Sequence, residues 1–221
     1  MNAELNYSPM PGQEAFHNSK APARLLLGGC RAGKSTALFR EIGRFMRSKP
    51  NGHVLLLAGP PQRPHPYRQL FETVPKDAMQ AAIDQSAISS VRWIDKNKLW
   101  FDTVTLKNGA TISLRDALLN PFESAYHLVA VDEQRTDSTV LCAHNAVMGG
   151  ANFIGAFSTD GIAMKISAQL PGVELATFRL LFSANPYIDE ELKRRMMGVW
   201  ASQSDHLART RITGHKPNHN W

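Results

Sequence analysis

The run Leu25-Leu26-Leu27-Gly28-Gly29-Cys30-Arg31-Ala32-Gly33-Lys34-Ser35-Thr36 limits what this chain can fold into more than any other stretch. Three leucines lead straight into a glycine-rich turn, after which Leu38, Ile42, Phe45 and Met46 recur at helical spacing. That pattern predicts a strand covered on both faces, a tight loop and an amphipathic helix. Gly28, four residues, then Gly33-Lys34-Ser35 is the spacing of a phosphate-binding loop. Its glycines let the backbone curl until successive N–H groups point at phosphate oxygens, and the helix that follows adds its positive end. The nucleotide-binding candidates are therefore Gly28, Gly29, Cys30, Arg31, Ala32, Gly33, Lys34, Ser35 and Thr36. Lys34 is expected to reach the β- and γ-phosphates as a point charge, and the Ser35 hydroxyl to ligate the Mg²⁺ that bridges them.

A triphosphate site needs a second half, and residues 126–134 supply one. The run Leu128-Val129-Ala130-Val131 reads as a buried strand ending in two adjacent acids, Asp132 and Glu133. A carboxylate at such a strand end can hold Mg²⁺, which assigns Asp132 to the metal. The next acid, Glu133, is then placed to polarise the attacking water. Residues 150–161 form a further strand that closes in a polar turn, so Ser158 and Thr159 are candidates to sense the γ-phosphate. The strand end Leu180-Leu181-Phe182-Ser183-Ala184-Asn185-Pro186 competes for that role, its Asn-Pro reading equally as a helix start.

Around these motifs the chain is ordinary in bulk and basic in charge. With 221 residues, 43% hydrophobic and 20% charged, it can bury one good core. A net charge of +6 favours polyanion partners, nucleic acid first, although a basic surface alone also gives this value. Two cysteines, Cys30 and Cys142, offer neither a disulfide framework nor metal-ligand spacing. No apolar run is long enough to span a bilayer and the N-terminus lacks the build of a signal peptide, so a soluble cytoplasmic protein without membrane contact is expected.

Residues 1–23 read as an extended entry in which Gln13 opens a short helix. Its side-chain amide either matches the paired edge of adenine or caps its own helix. Residues 53–58 form a second buried strand, expected beside the P-loop strand or one strand removed. From 97 to 116 the period changes to two: Trp100, Asp102, Val104 and Leu106 share a face, and Asn108-Gly109 makes a hairpin turn, an antiparallel insertion in a parallel sheet. Trp93, Trp100 and Phe101 read as core or as base-stacking aromatics. Residues 188–200 form a helix with Lys193, Arg194 and Arg195 off its apolar stripe, a solvated face or a DNA contact. The domain division is an entry segment 1–23, a core 24–205 and a polar tail or linker 206–221. The fold class is a three-layer α/β domain with a mostly parallel sheet and ATP-Mg²⁺ at the C-terminal strand edge.

With these residues assembled, the chain resembles the N-terminal ATPase domain of the large subunit of tailed-phage DNA-packaging terminases. The likeness runs in order through Pro11-Gly12-Gln13, the 28–35 loop, the Asn108-Gly109 hairpin, Val129 to Glu133, the Ser158-Thr159 strand end and Asn185-Pro186-Tyr187 before a basic helix. It implies a P-loop ATPase of the additional-strand, catalytic-glutamate type that works as a homo-oligomeric ring. Its implied partners are the portal protein, the small terminase subunit and double-stranded DNA, and its implied place is the cytoplasm of a bacterial host. By the same resemblance Arg31 falls near the γ-phosphate, as a catalytic cation beside Lys34 and Glu133 or as a loop-bracing ion pair, and Ser158 and Thr159 fall on the coupling motif. The nuclease domain of full-length large terminases has no counterpart here, so no DNA cleavage is expected. A helicase-core fragment and a non-hydrolysing nucleotide switch share several of these motifs and stand as the alternatives.

Overall fold

A computed structural model of the protein describes residues 7–58, 66–72, 81–96, 100–115, 126–133, 137–158 and 160–203. In chain order these form α1 (Pro11–Asn18), β1 (Ala23–Gly28), α2 (Lys34–Ser48), β2 (His53–Ala58), α3 (Pro66–Phe71), a single 3₁₀ turn (Gln85–Ala87), β3 (Ile88–Trp93), β4 (Phe101–Leu106), β5 (Thr111–Arg115), β6 (Leu128–Asp132), α4 (Asp137–Met148), β7 (Asn152–Phe157), α5 (Asp160–Gln169), β8 (Leu175–Leu180) and α6 (Glu190–Gln203).

The strands make one sheet in the order β3-β4-β5-β2-β6-β7-β1-β8. All neighbours from β5 to β8 pair in parallel, and β4 alone runs against the rest. Alternation along the central strands divides the core in two. Leu26, Val54, Leu56, Leu128 and Ala130 face α2 and α3, where they meet Leu38, Phe39, Ile42, Met46, Leu70 and Phe71. Leu25, Leu27, Leu55, Leu57, Val129 and Val131 face α4 and α5, against Val140, Cys142, Ala143, Ile162 and Ile166. Because both faces are covered, the central runs of these strands are apolar at consecutive positions, which is why the leucine runs carry no alternation in sequence.

One expectation about the sheet needs correction. β2 does not lie beside β1 or one strand away, since both β6 and β7 intervene. The 15-residue α2 is about 22 Å long, enough to carry the chain across three strand spacings of about 4.8 Å. The expected hairpin is present as β4 and β5, whose antiparallel β4 lies between β5 and the outermost β3 in an otherwise parallel sheet. Trp100 precedes β4, and a register shift at Arg92/Trp93 sets Trp93 opposite Phe101. Phe101 is then fully buried with Val104, while Asp102 is taken by Arg115. Tyr67 packs 4.7 Å from the ring of Trp93, so these aromatics belong to the core rather than to a base-stacking surface.

Beneath the sheet's other edge, α1 is tied to α2 by charge. Glu41 accepts from His17 Nδ1 at 2.8 Å and from Arg24 Nη1 at 2.9 Å. Burial alone would raise the Glu41 pKa, but the His17 hydrogen bond and the Arg24 guanidinium overcome it and hold the carboxyl below the usual range. A carboxylate with a depressed folded pKa contributes stability above its unfolded pKa and loses it as pH falls through the folded value. Glu41→Gln leaves Arg24 buried without its counter-charge and is expected to cost about 3 kcal/mol at pH 7. Urea unfolding at steps down to about pH 3 should show that deficit shrinking below about pH 4, as the wild-type carboxyl protonates; a deficit independent of pH would contradict the ion-pair account.

Candidate nucleotide site

The site is built where β1, β6 and β7 end along one edge of the sheet. β1 stops at Gly28, and a Cβ there would sit 2.2 Å from the carbonyl oxygen of Leu180, so only glycine lets the loop leave between β7 and β8. The loop then turns through two left-handed residues, Arg31 (φ 56°) and Gly33 (φ 86°). Gly33 is the cap residue of α2, and a Cβ on it would meet Gln13 Nε2 at 2.8 Å.

Five polar side chains converge below this loop. Lys34 Nζ donates to the Gly29 carbonyl at 2.8 Å and pairs with Glu133 Oε1 at 3.1 Å, both side chains being 5% exposed. Ser35 Oγ donates to Asp132 Oδ1 at 2.8 Å across 97 residues of sequence. Glu133 sits just past β6 in a left-handed conformation (φ 61°), its N–H bonded to Ala156 O at 2.8 Å. The Ser158 hydroxyl, just past β7, donates to the same Glu133 carboxylate. A cation held by Ser35 and Asp132 would meet hard oxygen donors, the kind Mg²⁺ takes while keeping most of its waters, so the donor chemistry suits that ion. Among the described residues no group of three or more His, Cys, Asp or Glu could hold a metal.

The remaining sequence candidates are distributed unevenly. Cys30 and Arg31 are exposed at the loop's apex, Ala32 is buried, and Thr36 is half-buried on the first turn of α2. Gln13 is 1% exposed; its Oε1 accepts from Met10 N at 2.9 Å and its Nε2 donates to Gly33 O at 3.0 Å. Its amide thus caps α1 and braces the loop, and an adenine would have to displace those partners to reach it. Lys193 does not lie on the solvent face with Arg194 and Arg195. It is 5% exposed, with Nζ bonded to Ser183 O at 3.0 Å and Glu190 Oε1 at 2.6 Å, because α6 folds back on Phe182 through Trp200. Thr159 and the tail 206–221 lie outside the described residues.

Asn185, read in sequence as part of a competing strand end or of a helix start, is tied directly to the P-loop. Its Nδ2 donates to Arg31 O at 2.7 Å across 154 residues, a contact that an Asn-Pro pair in sequence signals only as a turn. Among the described residues no helix is long and apolar enough to cross a membrane.

A mostly parallel sheet with one strand, β7, between the P-loop strand and the strand bearing the paired acids defines an additional-strand P-loop α/β domain. No family model matches the chain, and no curated protein matches it in sequence. Solved structures do: the large terminase ATPase domain of Thermus phage P74-26 covers 94% of this chain and 94% of its own length at a TM-score of 0.60 and 14% identity. The large terminase of a second thermophilic bacteriophage matches over 94% of this chain at a TM-score of 0.66 and 12% identity, and the chain spans 53% of that protein. The chain therefore has the fold of the ATPase domains of phage large terminases.

Gly33 tests the local geometry. Gly33→Ala combines a left-handed backbone with a contact on Gln13, a strain of about 1–2 kcal/mol, which for a domain of this size lowers the thermal midpoint by about 2–8 °C. An unchanged midpoint would contradict the close packing of the loop on α1.

Proposed function

We propose that this chain hydrolyses ATP and couples the reaction to movement of double-stranded DNA into a viral procapsid, acting in a homo-oligomeric ring on a portal protein in the host cytoplasm, with the small terminase subunit as a further partner. The observation that carries the reading is the convergence of Lys34, Ser35, Asp132 and Glu133 at one strand edge, on a fold shared with terminase ATPase domains. The second of the two large terminases above has itself been solved with ATP-γ-S and with ADP.

In this reading the loop's N–H groups receive the phosphates, and Lys34 exchanges its pairing with Glu133 for the β- and γ-phosphate oxygens. Glu133, released from the ammonium and still held by Ser158, orients and deprotonates the attacking water. Ser35 and Asp132 would hold Mg²⁺, which neutralises charge developing on the phosphate oxygens. Arg31, exposed at the apex, supplies a second cation near the γ-phosphate. Ser158, bonded to Glu133 at the end of β7, is the coupling candidate that lies in contact with the catalytic group, with Thr159 next to it in sequence. Arg194 and Arg195 present exposed positive charges of α6 to DNA.

Lys34→Ala should lower turnover at least about a hundredfold, as when a single charge-stabilising donor is removed. Glu133→Gln should lose about 10²–10⁴ in turnover while still binding ATP, because only the water-activating group has gone. Steady-state phosphate release with and without linear duplex DNA checks both. Wild-type turnover in either variant would sink the assignments, and tight binding without any turnover would favour a nucleotide switch.

DNA affinity should fall steeply with salt and show little sequence preference. Replacing both Arg194 and Arg195 by Ala should flatten the log–log salt slope by about one for each phosphate that α6 no longer neutralises. An unaltered slope in titrations from low to physiological salt would remove α6 from the DNA interface.

A further inference from the structure

The apex of the P-loop is held by an element at the far end of the sequence, which gives Asn185 a role that its Asn-Pro context conceals. Arg31 occupies the left-handed region at φ 56°, a conformation that a side chain with a Cβ does not hold by itself and that its surroundings must impose. The group that meets it is the Asn185 amide, whose Nδ2 donates to Arg31 O at 2.7 Å. Because the peptide unit is planar and trans, orienting the Arg31 carbonyl also orients the Ala32 N–H on the opposite side of the same plane. One bond thus sets the root of the Arg31 side chain and supports the turn in which the Ala32 N–H meets Gly29 O at 3.4 Å.

Asn185 is itself rigidly placed. It is 6% exposed, its Oδ1 accepts from Tyr187 N at 3.0 Å and its own N–H bonds to Phe182 O at 3.1 Å. Phe182 is fully buried and packs against Trp200 of α6 with ring centroids 5.1 Å apart. Lys193 closes the same turn from α6 through Ser183 O. The anchor is therefore the loop after β8 together with α6, and it grips the P-loop from outside the phosphate cradle.

We infer that Asn185 is a positioning residue of the nucleotide site: it locks the Arg31–Ala32 peptide plane and so aims the Arg31 guanidinium. The role in turnover rests on the ATPase reading above; the grip on the loop does not.

Asn185→Asp separates the two bonds, because a carboxylate still accepts from Tyr187 N–H but cannot donate to the Arg31 carbonyl. Amide hydrogen exchange of the variant should speed up at least tenfold in the peptide covering residues 29–34 and stay unchanged in β6 and β7. In steady-state assays kcat should fall about tenfold, and the same substitution should change kcat less than twofold in an Arg31→Ala background. An unaltered P-loop exchange rate, or faster exchange spread equally over β6 and β7, would overturn the inference. So would an equal loss of kcat in both backgrounds, since a brace for the fold alone acts whether or not the guanidinium is present. Absence of Lys34-dependent turnover in the wild-type chain would overturn the ATPase reading instead, with the exchange comparison still deciding whether Asn185 holds the loop.

Discussion

The ion pair between Lys34 and Glu133, 3.1 Å apart and almost wholly out of solvent, is the interaction around which the domain is arranged. Burying two charges is expensive, and an apolar pair of the same volume is often the more stable choice. Stability is therefore a weak explanation for it. Under the proposed function the pair holds an ammonium and a carboxylate, one from each half of the site, in positions where a phosphate would compete for the first and free the second. Further partners of the two, the Gly29 carbonyl and the Ser158 hydroxyl, come from the same strand edge.

The strand order makes this meeting possible. β7 lies between β1 and β6, so the P-loop and the acidic strand end are two strand spacings apart, a gap that side chains from α2 and β6 close from either side. The link from Ser35 to Asp132 spans it a second time. On the other flank β8 presses its last carbonyl against Gly28, and the loop beyond it reaches Arg31 through Asn185. The P-loop is thus gripped from β6 on one side and from β8 and α6 on the other, while Gln13 closes its base from α1.

Much of this was legible in sequence because the determining signals are local. The 28–35 loop, the buried strand before Asp132 and the Asn108-Gly109 turn each carry their chemistry within a dozen residues. What was not legible depends on partners far along the chain. The separation of β2 from β1 is set by where β6 and β7 insert, which no local period records. Lys193 sits beside Arg194 and Arg195 in sequence, and only the folding of Trp200 onto Phe182 turns it inward. Gln13 and Asn185 have short amides whose roles are decided by the carbonyls of Gly33 and Arg31, and neither contact leaves a pattern in spacing.

The most direct test of the central claim, that the P-loop and the β6 acids form one nucleotide site, is a crystal structure of the chain with Mg²⁺ and a non-hydrolysable ATP analogue. The account predicts phosphates along residues 28–35, a metal ion bound by the Ser35 hydroxyl and facing Asp132, and Lys34 moved from Glu133 to the phosphate oxygens. Nucleotide bound elsewhere, or a Lys34–Glu133 pair unchanged with the phosphates in place, would contradict it.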